Sequence, residues 1–238
     1  MSLYHLRSMS AALLTAATVA ACSSGVRAPA PGPAPAPEPV APAPAPAPPA
    51  GGHQHAPAPA PGAPRQPYTA ADVHFMTTMI GHHAQAIVMA RWADTHGASG
   101  SIRTLAGRVI NAQQDEIALM QQWLRERGQP VPEPRPGPMR MRMDGVEHDM
   151  LMPGMLTEEQ MARLDQARGA EFDRLFLTFM IQHHRGAVTM VTELFSNQGA
   201  GLDDSVFKLA SDVNVDQTTE IARMQRMLAD LIFQGGAP

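Results

Sequence analysis

Between Thr69 and Phe233 apolar side chains return every three or four positions, the period of an amphipathic helix rather than of a strand. Local punctuation divides this pattern into elements. A first helix is expected from Thr69, with Asp72 three residues on in a capping-box relation, to about Gly97. A second is expected from about Ser101 to Gly128. Residues 129–156, rich in Pro, Gly and Met, read as irregular. Thr157-Glu158-Glu159-Gln160 is a capping box that opens a shorter helix ending near Gly169. Two long helices follow, roughly 170–198 and from Asp203 or Asp204 to about Phe233. Alternating β-branched runs bounded by turns are absent, so no strands are expected.

The pattern is duplicated. Met79-Ile80-Gly81-His82-His83 returns 101 residues later as Met180-Ile181-Gln182-His183-His184, with Asp72 and Phe75 matching Asp173 and Phe176. Gln113, Glu116, Ile117, Met120 and Leu124 return as Gln217, Glu220, Ile221, Met224 and Leu228, shifted by 104. Two similar hairpins of long helices most simply make an all-α four-helix bundle. The 129–169 connection is long enough to cross it from end to end, so a ferritin-like crossover topology is favoured.

Each apolar stripe is interrupted by polar residues at its middle. Stepping along the second helix from Leu105 and Val109 to Met120 and Trp123 lands on Gln113 and Glu116. In the last helix, Leu209 and Val213 lead through Gln217 and Glu220 to Met224 and Met227. The first stripe is Met76, Met79, His83, Ala86, Ala90, and the fourth is Leu177, Met180, His184, Ala187, Val191. All four interruptions fall near helix midpoints and so reach a common height. A buried unpaired carboxylate costs several kcal/mol, so Glu116 and Glu220 need partners: the histidines, a metal, or both. Adjacent helical residues point about 100° apart, so His83 and His184 are expected to face inward, with His82 and His183 to one side.

Composition separates this domain from what precedes it. Most of the 23 prolines lie between Pro29 and Pro67 in an Ala-Pro alternation that cannot bury a core. Residues 1–21 read as a secretory signal, and Val19-Ala20-Ala21-Cys22 resembles a bacterial lipobox. The expected organisation is therefore a lipoprotein signal (1–21), a lipidated Cys22 with an extended tether (22–67), and a helical domain (68–238). This predicts a membrane-anchored envelope lipoprotein facing the periplasm, with the outer membrane favoured over the inner. The formal charge of −4 and the absence of any basic block argue against nucleic acid as a partner. A lone cysteine cannot form an internal disulfide, so packing must hold the fold.

Methionine directs attention to one metal. Seven of the 17 lie between Met139 and Met161, with His148 among them. Thioether sulfur is a soft ligand that prefers Cu(I), and imidazole suits copper in either oxidation state. Copper is therefore favoured over iron or zinc. The candidate ligands are His82, His83, His183, His184, Met79, Met180, Glu116 and Glu220. His148, Met150, Met152 and Met155 are secondary candidates.

Met155-Leu156-Thr157-Glu158-Glu159-Gln160-Met161, Gly169, Phe172-Asp173, Phe176, Met180-Ile181, His183-His184, Gly186-Ala187 and Met190 resemble the signature of the domain of unknown function 305 family. The first-half run from Asp72 through Met79, His82-His83 and Met89 resembles that family's other half. The resemblance implies a ferritin-like helical fold, secretion and, for some members, periplasmic copper binding through Met and His.

Three functions compete at this point. The leading one is a tethered protein that sequesters or hands on copper, without catalysis. The second is a structural or partner-binding lipoprotein whose polar layer is a hydrogen-bonded spacer. A ferritin-like di-metal oxidase is third, and it needs Glu-x-x-His pairs. No Glu-x-x-His occurs in the sequence.

Overall fold

A computed structural model of the chain describes residues 67–143 and 145–235. The expected signal, Cys22 and nearly all of the tether lie outside the described residues. Five α-helices account for most of the rest: α1 (Ala70–Arg91), α2 (Gly100–Glu126), α3 (Glu158–Gln166), α4 (Gly169–Ser196) and α5 (Asp204–Gly235). The caps are those the sequence implied. Thr69 and Asp72 close a capping box on α1, and Thr157 and Gln160 close one on α3. The first helix ends earlier than expected, because the chain tightens into a 3₁₀ turn over Trp92–Asp94.

One expectation fails. Inside the supposedly irregular stretch, β1 (Met139–Met143) and β2 (Val146–Met150) form an antiparallel hairpin with Met143 paired to Val146. The physical reason is the Asp144-Gly145 dipeptide, a strong two-residue hairpin signal when flanked by alternating residue types. Gly145 supplies the positive φ such a turn requires.

Contacts at the helix ends fix how the long helices run. Gly97, just past α1, approaches Gly169 at the start of α4, and Gly199, just past α4, approaches Thr69 at the start of α1. Helices α1 and α4 are therefore antiparallel. Each also packs on its own hairpin partner, α1 on α2 and α4 on α5. Helix α2 ends beside the start of α5, where Trp123 Nε1 donates to Asp203 Oδ1 at 3.1 Å. The order is thus up, down, down, up, and the segment between Arg127 and Arg168 climbs the full height of the domain. The repeated aspartates tie the hairpins together. Asp72 of α1 accepts from the backbone N of Gly201 at 2.7 Å, and Asp173 of α4 accepts from that of Ser99 at 3.1 Å.

Two apolar cores result. One, around Met89, Leu105, Phe172, Phe176 and Met180, lies toward the start of α4. The other, around Phe75, Met79, Met120, Trp123 and Val206, lies toward the start of α1. Between them sits a polar layer.

Candidate metal centre

The layer is built from one doublet of histidines on α1 and one on α4, with their counterparts on α2 and α5. His82, His83, His183 and His184 are all fully buried, and Gln113, Glu116 and Gln217 are buried with them. His83 Nε2 lies 2.7 Å from Glu116 Oε2, and His184 Nε2 lies 2.7 Å from Glu220 Oε2. Each imidazole–carboxylate pair thus joins the two helices of one hairpin at the height the spacing implied. The halves differ in detail: the His184–Glu220 contact is aligned as a hydrogen bond, whereas the His83–Glu116 contact is not. The carboxylates are the edge of the layer, since Glu220 retains partial exposure.

His82 and His183 do not lie to one side. Their rings face each other across the α1–α4 interface with centroids 3.9 Å apart. The expectation erred because each of these helices packs against two partners, its own hairpin mate and the opposite hairpin. Two faces about 100° apart are therefore both buried, and a doublet serves both. The members expected to lie aside are as fully buried as their neighbours.

The chemistry of this ring pair follows from what surrounds it. His82 Nε2 lies 2.9 Å from the carbonyl oxygen of Pro153. A carbonyl only accepts, so Nε2 carries the proton and Nδ1 presents its lone pair. That Nδ1 is buried without a hydrogen-bond partner, as are both ring nitrogens of His183 and the Nδ1 atoms of His83 and His184. Burial, reinforced by the neighbouring His83, lowers the His82 pKa to about 3. Burial and then His82, His184 and His83 push His183 well below the ordinary histidine value. Both rings are therefore neutral at pH 7 and keep lone pairs that a protein interior normally satisfies.

Sulfur lies within a helical turn on each side. Met79 precedes His82 by three residues and Met180 precedes His183 by three, positions that share a helix face. Both are fully buried, Met79 in one apolar core and Met180 in the other. Among the described residues, no three His, Cys, Asp or Glu side chains gather in one metal-binding group. A site here would pair imidazole nitrogens with thioethers, which fits a soft ion and fits zinc or iron poorly.

Met152 and Met155 are buried in the core around Met79, and Met150 is largely exposed on the hairpin. The backbone of His148 is paired with that of Met141.

What the sequence missed is the clamp over the ring pair, formed by residues 152–156. Gln85 holds Leu156 at both ends, its Oε1 accepting from Leu156 N at 2.7 Å and its Nε2 donating to Leu156 O at 3.0 Å. Gln182 Nε2 donates to Gly154 O at 3.3 Å. A Cβ on Gly186 would stand 1.8 Å from Pro153 O, so only glycine admits the turn there. In the 101-residue register Gly81 matches Gln182, and Gln85 matches Gly186. What reads as drift of the repeat is a swap: each helix offers one glutamine for the crossing backbone and a glycine at the other matching position, and only at Gly186 is the approach too close for a Cβ. Adjacent Met-Pro-Gly-Met between the halves was the available signal.

Comparison with known proteins agrees with this fold. A DUF305 protein from Streptomyces coelicolor, named as a candidate secreted protein, is 25% identical with a TM-score of 0.57, covering 68% of this chain and 93% of its own. A DUF305 fragment from Deinococcus radiodurans is 28% identical with a TM-score of 0.57, covering 69% and 99%. CopM, in structures with Cu(II) and with Cu(I) bound, is 28% identical with a TM-score of 0.51, covering 67% and 96%. No curated protein matches the chain. The sequence pattern of the domain of unknown function DUF305 matches residues 72–228, most of the helical domain, and the chain belongs to that family.

Proposed function

We propose that the protein binds copper as cargo, sequestering it or handing it on, and that the His82–His183 pair is the heart of the site. The observation that carries this reading is the pair itself: two neutral, fully buried imidazoles with centroids 3.9 Å apart and planes tilted by 39°, whose three remaining ring nitrogens make no well-formed hydrogen bond. Leaving such groups unpaired costs about 1–3 kcal/mol each, a penalty that a bound ion would remove. Met79 and Met180 supply the soft ligands, and His83 and His184, oriented by Glu116 and Glu220, complete the layer from behind. Copper bound to CopM supports the choice of metal. We further propose that the domain works in the cell envelope, anchored by lipid on Cys22 at the end of its proline-rich tether. Among the described residues no helix is long and apolar enough to cross a membrane.

The test is competitive titration with a Cu(I) chelator, comparing wild type with the double variant His82→Phe/His183→Phe. Phenylalanine keeps a flat ring in each position and removes the nitrogens. The wild type should withdraw copper from the chelator and gain melting temperature on doing so, while the variant should do neither. A purely structural role for the layer finds support in the two imidazole–carboxylate contacts. That role requires copper to leave both melting temperatures unchanged, and this result would remove the copper reading.

A further inference from the structure

The clamp crosses the ring pair once, and the two imidazoles meet it unequally. His82 Nε2–H donates to Pro153 O at 2.9 Å, which leaves Nδ1 as the ring's only lone pair. His183, 101 residues on in the repeat, makes no hydrogen bond of this quality, since both its ring nitrogens lack a well-formed partner. One ring is therefore fixed in tautomer and direction by the clamp, and the other is not. The duplicated sequence breaks its symmetry at this point.

Side-chain amides hold the backbone around Pro153. Gln85, three residues after His82 on α1, is 2% exposed and grips both backbone polar groups of Leu156. Gln182, the residue before His183 on α4, donates through Nε2 to Gly154 O at 3.3 Å. Its own Oε1 accepts from Gln160 Nε2 at 3.2 Å, and Gln160 Oε1 accepts from Thr157 N at 3.0 Å. That relay runs from the cap of α3 to the clamp and gives each amide one consistent orientation. Gly154, at φ 75°, completes the seat: a Cβ there would stand 2.6 Å from Gln182 O and 2.7 Å from Gly186 Cα. Closing a connection over two helices needs no contact with an imidazole. Here the clamp carbonyl beside those grips is the one the ring uses.

We propose that Gln85 and Gln182 are positioning residues of the central site. They hold the Pro153 carbonyl where it fixes His82 Nε2–H, so that Nδ1 is presented to the ion. A histidine ligand whose other ring nitrogen donates to a carbonyl has its orientation set and its basicity raised, and losing such a partner costs about 10–100-fold in metal affinity. His82 is then the preset ligand, and His183 is the one that adjusts when the ion arrives. The clamp acts in this role through its backbone and needs none of its own side chains as a ligand. The role rests on the copper reading of the central layer.

The experiment uses the full chain as wild type, Q85M, the milder Q182A, and D173A, a control at the start of α4. Cu(I) affinity is measured by chelator competition and stability by urea denaturation. The His82 Nε2 proton is followed by nitrogen-edited NMR of the metal-free protein. Q85M and Q182A should bind Cu(I) about 10–100-fold more weakly at unchanged stoichiometry, and their His82 ring proton should exchange with water faster than in wild type. D173A should lose stability yet keep wild-type affinity. A purely structural role for the glutamines requires affinity to follow stability, so that D173A weakens copper binding as much as they do. That result, or glutamine variants with wild-type affinity, would overturn the positioning role and leave the copper site standing. A wild type that takes up no Cu(I) would overturn both.

Discussion

Gly186→Ala is the most demanding perturbation of the clamp over the central histidines. The new methyl would sit 1.8 Å from Pro153 O, 2.4 Å from Pro153 C and 2.6 Å from Gly154 Cα, all backbone atoms that cannot rotate away. The 152–156 segment must lift off α4, which pulls the Pro153 carbonyl from His82 Nε2 and the Gly154 carbonyl from Gln182. Overpacking of this kind costs about 1–3 kcal/mol. Leaving the buried His82 N–H unsatisfied adds about 1–3 kcal/mol. Alanine returns about 1 kcal/mol through its better helix propensity. The net is a loss of about 3 kcal/mol, or roughly 6–12 °C in melting temperature for a domain of this size. Gly81→Ala is the internal control: its Cβ would meet Arg135 O at 3.6 Å and Met139 Cγ at 3.7 Å, ordinary contacts. That variant should be neutral or more stable than wild type by up to about 1 kcal/mol. Urea denaturation and thermal melts of both metal-free variants measure the contrast. Equal effects of the two substitutions, or a Gly186→Ala protein as stable as wild type, would refute the clamp.

Other expectations follow from the same geometry. His82 and His183 bind protons in the unfolded chain below about pH 6.5 but resist them when folded, so metal-free stability is complete above that pH and is lost as pH falls toward 3. The slope from the pair should approach about 3 kcal/mol per pH unit near pH 5, read by urea melts, and should vanish in H82F/H183F. Arg127→Ala should cost about 3–5 kcal/mol, because it leaves Asp203 as a buried charge and strips the guanidinium from its place 4.3 Å above the Trp123 ring. Chemical denaturation measures this, and a loss below 1 kcal/mol would refute a buried pair. Asp173→Ala should cost about 1–3 kcal/mol by freeing the Ser99 amide, and amide hydrogen exchange should rise first in the α1–α2 turn.

Much of this was legible in the sequence because local rules and the tertiary structure agree. Thr69 with Asp72 and Thr157 with Gln160 announce their helices through capping, and the repeat places His83 opposite Glu116 and His184 opposite Glu220 at matching heights. The facing of His82 and His183 was not legible. A single helix has one apolar stripe, and nothing in α1 alone states that a second partner will bury the neighbouring face. The hairpin escaped notice because Met and Arg are not strand-forming residues by composition. The sequence signal for it is the Asp144-Gly145 dipeptide, a two-residue turn between the strands. The exchange of Gly81 and Gln85 for Gln182 and Gly186 becomes meaningful only when one connection is seen to cross both helices.

The most direct measurement is anomalous diffraction at the copper edge from crystals of the helical domain prepared anaerobically with Cu(I). A peak at the His82–His183 pair, bounded by Nδ1 of His82 and a nitrogen of His183 with Met79 or Met180 sulfur beside it, is the expected result. Rings that keep their tilted, 3.9 Å arrangement in a copper-replete crystal, with every peak remote from them, would contradict a metal centre in the polar layer.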